Sequence, residues 1–171
     1  MTDRQLLLLR HAKAVIGADL EDFDRPLAPR GEEAAKAVGR YMAANGLVPD
    51  LVLCSPARRT SQTWEIAARE LPPTQFHLVE ALYDFGDGEA LLRAIRELGG
   101  SAQRLLLVTH NPATQQLALF LAGSGNPVQR REMLEKYPTA GLAVLTPPAG
   151  WKDLGEGQCR LDAFIRPRDL A

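Results

Sequence analysis

Two cysteines are all that 171 residues provide, Cys54 and Cys159. They lack metal-ligand spacing, and two thiols make no disulfide framework. Cys54 closes an apolar run and reads as a buried free thiol. An excess of charge is lacking too. The formal net charge is −1, which leaves no overall basic field to gather nucleic acid. Nucleic acid is therefore not expected as a partner, and any anion site must come from local clustering of arginine. No apolar run reaches the length of a membrane span. The one near the start, Leu6–Leu9, is also too short for a signal peptide. The expected setting is a reducing cytoplasm, away from membranes. Repeats, low-complexity tracts and long linkers are missing, so one domain over residues 1–171 is expected. The chain also has no Walker loop, no G-x-G-x-x-G and no G-x-S-x-G nucleophile elbow, which removes the usual signs of a nucleotide fold or a serine hydrolase.

What is present is an alternation of short apolar runs and longer amphipathic stretches. Leu6–Leu9, Leu51–Cys54 and Leu105–Val108 are continuous apolar runs, the habit of strands buried on both faces. Phe76–Val79 is a weaker strand candidate, and Leu142–Leu145 and Arg160–Ile165 follow. The last alternates apolar Leu161, Ala163 and Ile165 with polar neighbours, which suits an edge strand. A helix is predicted from Pro29 to about Ala44, stopped by Asn45-Gly46. A second runs from about Arg59 to Leu71, before Pro72-Pro73. A third covers Glu89–Leu98, with Leu91, Leu92, Ile95 and Leu98 on one face. A fourth follows Asn111-Pro112 and carries Leu117, Phe120 and Leu121; Gly123–Pro127 reads as a turn. The pattern predicts an α/β three-layer sandwich, a mostly parallel central sheet flanked by helices. Ligands in such folds sit beyond the carboxyl ends of the strands.

Those ends carry unusual chemistry. The first strand runs into Arg10-His11, the second into Ser55 with Arg58 and Arg59 close behind, and the strand of Leu105–Thr109 into His110. The third histidine, His77, lies inside the weak strand. If the three strands are parallel neighbours, two imidazoles and several guanidiniums meet in one cleft. Guanidinium forks match phosphate oxygens, and helix N-termini add backbone N–H groups. A neutral imidazole held in one tautomer can attack phosphorus. Phosphoryl transfer asks the protein mainly for alignment and charge stabilisation. A metal site built on His11 and His110 with an Asp or Glu is the chemical rival, but two fixed cations beside a dication repel it. No metal and no cofactor are expected.

These residues also form a familiar series. Leu8-Leu9-Arg10-His11-Ala12-Lys13 resembles the R-H motif that opens the histidine phosphatase (phosphoglycerate-mutase-like) superfamily. Ser55–Thr63 resembles its S-P-x-x-R-[AT]-x-x-T motif, and Val108-Thr109-His110-Asn111-Pro112 its V-[GST]-H-N-P motif. Within that superfamily the chain looks most like the short SixA-type phosphohistidine phosphatases. Asp24–Gly31 is similar to their D-x-x-R-P-L-T-x-x-G segment apart from its leading spacing and one small residue. Phe76–Tyr83 with Asp84, and Lys136–Ala140, resemble further segments of theirs.

The resemblance implies a phosphoglycerate-mutase-like fold and a role for each matching residue. His11 is the implied nucleophile, Arg10 and Arg59 clamp the phosphoryl oxygens, His110 faces them, and Arg25 lines the mouth. Glu80 and Asp84 are the candidates for a general acid, while Arg58, one position off the motif, is expected in solvent. The implied reaction is hydrolysis of phosphohistidine on a protein, through a phosphohistidine on the enzyme. Two other readings stay open: a phosphatase of small phosphoesters or of phosphoserine, phosphothreonine or phosphotyrosine, and a phosphate-binding module without turnover. The expected partner is a phosphorylated protein, such as a histidine phosphotransfer domain, or a small phosphorylated molecule. A monomer is expected.

Overall fold

The computed structural model describes residues 3–17 and 19–170. Its centre is a seven-stranded sheet: β1 (Gln5–Arg10), β2 (Leu51–Cys54), β3 (Gln75–Leu78), β4 (Arg104–Thr109), β5 (Ala122–Gly125), β6 (Leu142–Thr146) and β7 (Cys159–Ile165). The spatial order is β3-β2-β4-β1-β6-β7-β5. Only β6 runs against its neighbours. Five α-helices cover the sheet: α1 (Pro29–Ala44), α2 (Arg58–Ala68), α3 (Glu89–Leu98), α4 (Ala113–Leu121) and α5 (Pro127–Glu135).

The apolar runs become central strands because both of their faces are covered. Leu6 and Leu8 point with Leu105 and Leu107 to the side of α3 and α4, where Leu91, Ile95 and Leu117 are buried. Leu7 and Leu9 point with Leu106 and Val108 to the other side, against Val38 and Met42 of α1 and Trp64 of α2. This period of two splits the core into two layers around the sheet.

Most predicted elements lie where the pattern puts them, and the departures have simple reasons. Helix α2 ends at Ala68, since Arg69, Glu70 and Leu71 each donate three residues back, tightening the last turn before the prolines. Leu98 is 45% exposed rather than on the buried face of α3, as the last residue of the helix before Gly99 and Gly100. Strand β7 is not an edge: β5 pairs outside it. The stretch expected as a turn instead holds β5 and the start of α5, which Asn126 Oδ1 caps by accepting from Val128 N and Gln129 N, with Pro127 at the first helical position. Among the described residues, no helix is long and apolar enough to cross a membrane.

For the site, the key result is that β2, β4 and β1 are adjacent and parallel. Ser55 N donates to Val108 O (3.0 Å), and His11 N to Thr109 O (3.1 Å), so the three carboxyl ends are tied together just where the motif residues begin. Gly31 lets the start of α1 close on the segment after β1; a Cβ there would collide with the Lys13 carbonyl.

Candidate active site

His11 follows the last residue of β1 and is 8% exposed. Its Nδ1 lies 2.7 Å from the Ala12 carbonyl. A carbonyl only accepts, so the ring proton sits on Nδ1 and Nε2 keeps its lone pair. The Ala12 amide donates to Thr63 Oγ1 (2.9 Å), whose hydroxyl donates to Arg59 O, so α2 holds the loop that carries His11. His110 follows β4, and its ring centroid is 5.4 Å from that of His11. His110 Nε2 lies 2.7 Å from Ser55 Oγ, while its Nδ1 is buried without a partner. Nε2 is the only acceptor that the Ser55 hydroxyl meets among the described residues. The neutral His110 ring therefore carries its proton on Nδ1.

The two arginines of the cleft share this feature. Arg10 Nη1 donates to Tyr137 O (2.8 Å), and Arg59 spends Nη1 and Nη2 on Asp22. In both, Nε is buried and unpartnered. Buried donors without partners are rare and costly, about 1–3 kcal/mol each. Three of them, on Arg10, Arg59 and His110, stand around one histidine whose Nε2 is free to act as a nucleophile. Such a set of donors suits an oxyanion.

Burial is the largest influence on both imidazoles. It lowers His11 to about 4 against a weaker opposing effect of the Ala12 hydrogen bond, with Arg59, Arg10 and Arg25 adding to the lowering. Burial also lowers His110 to about 3, helped by His11 and Arg59. Both rings are neutral at pH 7. Desolvation does more to keep His11 unprotonated than the arginines beside it.

His11, His110, Arg10 and Arg59 thus come together at the carboxyl ends of three adjacent strands. Arg25 reaches the same cluster through Asp22 and donates to Val15 O (2.9 Å). Glu80 is exposed, and Asp84 Oδ2 accepts from Gly86 N (3.2 Å); neither bonds to a histidine among the described residues. Arg58 is exposed and His77 lies on the exposed edge strand β3. Among the described residues, no three His, Cys, Asp or Glu side chains gather in a metal-binding group.

The family model of the histidine phosphatase superfamily (branch 1) matches residues 6–98. A Mycobacterium tuberculosis protein of uncharacterised function is 38% identical over 162 residues, 94% of this chain and 100% of its own. The chain belongs to the histidine phosphatase superfamily. Two solved structures of this superfamily's fold carry the name SixA and the designation of candidate phosphohistidine phosphatase. The one from Nakamurella multipartita has a TM-score of 0.85 at 28% identity, covering 98% of each chain. The one from Agrobacterium tumefaciens has a TM-score of 0.81 at 27% identity, covering 98% of this chain and 100% of its own. The mostly parallel sheet under five helices is the phosphoglycerate-mutase-like fold.

In this member of the superfamily several site neighbours escape sequence reasoning. Tyr83 packs edge-on against His110 at 5.4 Å, and Phe85 lies over it at 4.8 Å. Tyr137, buried, donates from Oη to Leu8 O (2.6 Å) while its carbonyl receives Arg10 and Asn111. Asp22 bonds Arg25, Arg59 and Tyr83 at once. For Asp22 a signal existed: read from Asp22 instead of Asp24, the segment Asp22-Phe23-Asp24-Arg25-Pro26-Leu27 has the D-x-x-R-P-L spacing without a departure. Tyr83 and Tyr137 lie in segments that resemble the family, but nothing local gives them a place at the site, since only the fold lays 83–85 over the end of β4.

Proposed function

We propose that the protein is a phosphatase that takes the phosphoryl group of a phosphohistidine, presented on another protein, onto His11 Nε2 and transfers it to water. The observation that carries this reading is the tethered, neutral His11 among three buried donors that lack partners. A module that only bound phosphate would use the donors but has no need of an imidazole fixed by Nδ1 with Nε2 left bare. In the first step the Nε2 lone pair forms a bond to phosphorus. The bond from phosphorus to the substrate imidazole breaks, and its electron pair stays on that nitrogen, which takes a proton from solvent water. Water then attacks phosphorus, the P–Nε2 bond breaks, and inorganic phosphate leaves with His11 neutral again. Arg10, Arg59 and His110 hold the three equatorial oxygens, where charge gathers in the transition state.

Two features favour phosphohistidine. Neither Glu80 nor Asp84 bonds to the reacting histidines, and a leaving imidazole is far less basic than an alkoxide and needs little acid help. The mouth also presents apolar surface: Phe23 and Phe85 are 41% and 46% exposed beside Tyr83, a rim suited to another protein. The SixA designation of the two structural neighbours points the same way.

The test is rapid quench with a labelled phosphohistidine protein run beside a labelled phosphoester. The expected result is an acid-labile label on His11 and a kcat/KM some tens of times higher for the protein, about 2 kcal/mol of remote binding. His11→Ala should reduce turnover to background. A label on another residue would overturn the mechanism, and equal kcat/KM values would transfer the substrate to the small phosphoesters.

A further inference from the structure

Asp22 stands in the short 3₁₀ turn Asp22–Asp24, and its side chain is 49% exposed, yet it holds the most buried cation of the cleft. Its carbonyl accepts from Arg59 Nη1 (2.7 Å) and its Oδ2 from Arg59 Nη2 (3.0 Å). Tyr83 Oη donates to the same Oδ2 (2.5 Å). Oδ1 accepts from Arg25 Nε (3.2 Å) and Nη2 (3.0 Å). Burial alone would raise the Asp22 carboxyl, but the hydrogen bonds from Tyr83, Arg25 and Arg59 outweigh it and hold the group well below the usual carboxylate range. Asp22 is therefore a fixed anion at pH 7.

Its effect on Arg59 is geometric. A guanidinium ordinarily meets a phosphate with a fork of two parallel N–H bonds. Here the Nη1–Nη2 edge faces Asp22, which takes one N–H from each, and the edge formed by Nε and the second Nη2 N–H remains, with Nε buried and unpartnered. We propose that Asp22 is a positioning residue: it clamps the Nη1–Nη2 edge of Arg59 so that the Nε edge is what Arg59 offers the transferring phosphoryl group, raising turnover at the expense of resting phosphate affinity. The inference rests on the phosphatase reading given above. A carboxylate beside Arg25 and Arg59 weakens the field that draws in phosphate, and a fixed guanidinium is worth most when charge builds on the oxygens in the transition state. Without Asp22, the Arg59 fork is free to turn onto bound phosphate. Ground-state binding then tightens while alignment is lost.

The test joins calorimetric titration with inorganic phosphate to steady-state kinetics for the wild type, Asp22→Asn and Asp22→Glu. In Asp22→Asn, phosphate should bind a few-fold more tightly, the scale of one partly exposed charge. Its kcat should fall about tenfold to a hundredfold, the scale of a misaligned donor. Asp22→Glu keeps the charge but moves it, so its phosphate Kd should stay near wild type with kcat still low. Nuclear magnetic resonance supplies an independent reading. The groups acting on His110 are His11, Arg59, Arg10 and Asp22, and only Asp22 raises it, so in Asp22→Asn the His110 ring should titrate at lower pH. Unchanged kcat in Asp22→Asn, or phosphate affinity and kcat falling together with Tm, would overturn the positioning role. A wild-type protein that binds no phosphate would overturn the phosphatase reading and this inference with it. Wild-type binding with an indifferent variant would overturn this inference alone.

Discussion

The two ends of the central sheet are built from similar residue types and are finished differently. At the amino ends of β2 and β4, Asp50 accepts from Gln103 N and Arg104 N (both 2.9 Å). Arg104 in turn spends Nε on Gln5 Oε1 (2.6 Å) and Nη1 on Val48 O (3.0 Å). Apart from Arg4 Nε, the buried side-chain donors of that end have partners among the described residues. At the carboxyl ends, Arg10, Arg59 and His110 each keep a buried donor idle. Folding satisfies one end by itself, Arg4 Nε apart. The other keeps three buried donors that a bound anion can engage. An arginine is structural or functional according to whether its neighbours use it up.

The largest effect that would break this comparison is at Arg59. Arg59→Ala should lower kcat by about 10²–10³, the cost of one charge-stabilising donor, with the fold retained by circular dichroism. A loss no larger than that from an exposed arginine such as Arg58 would mean that the idle donor is not used.

Proton binding sharpens the contrast next. In the ligand-free protein, imidazole resonances should report His11 titrating near 4 and His110 near 3, well below the ordinary 6.5. The consequence for stability has a definite sign. Both folded-state values lie below the unfolded one, so between about 6.5 and 4 for His11, and on to about 3 for His110, the unfolded chain binds protons that the folded chain refuses. Stability should be unaffected by these rings above 6.5 and should fall as pH drops through that window. Urea unfolding at several pH values tests this; in a His11→Ala, His110→Ala variant the slope should flatten.

At the satisfied end the expected effect is smaller and of another kind. Asp50→Ala should cost about 1 kcal/mol of stability by stranding two backbone donors, and shift Tm by a few degrees, with kcat unchanged. A drop in kcat would show that the two ends are not separable. The smallest expected effect is none: in the proposed mechanism arginines neutralise the charge, so activity in excess chelator should equal that without it. Loss of turnover restored by a divalent metal would remove that role from them.

Much of this was legible in the residues. The runs Leu6–Leu9, Leu51–Cys54 and Leu105–Val108 announce central parallel strands, because a strand covered on both faces has no polar side to show. Arg10, His11, Arg59 and His110 were visible because each follows such a run within a few residues. What escaped is of two sorts. Helix α5 buries only Met133, so it leaves almost no periodic signal, and β5 is four small residues whose pairing with β7 no local pattern encodes. Tyr83, Phe85 and Tyr137 reach the cleft from loops, whose paths depend on packing elsewhere.

The sequence by itself determined the layer plan and the inventory of the site, since apolar period and strand-end chemistry are local properties of the chain. Tertiary structure decided which of those groups are free to act. Arg58 and Arg59 are adjacent, yet one is exposed and the other 1% exposed, because the N-terminus of α2 turns one outward and the other under Asp22. His11 and His77 are both histidines near strands, yet only His11 lies where burial strips its proton and a carbonyl fixes its tautomer. Desolvation and hydrogen-bond saturation depend on what surrounds a group on every side, and that is set by contacts between residues far apart in the chain.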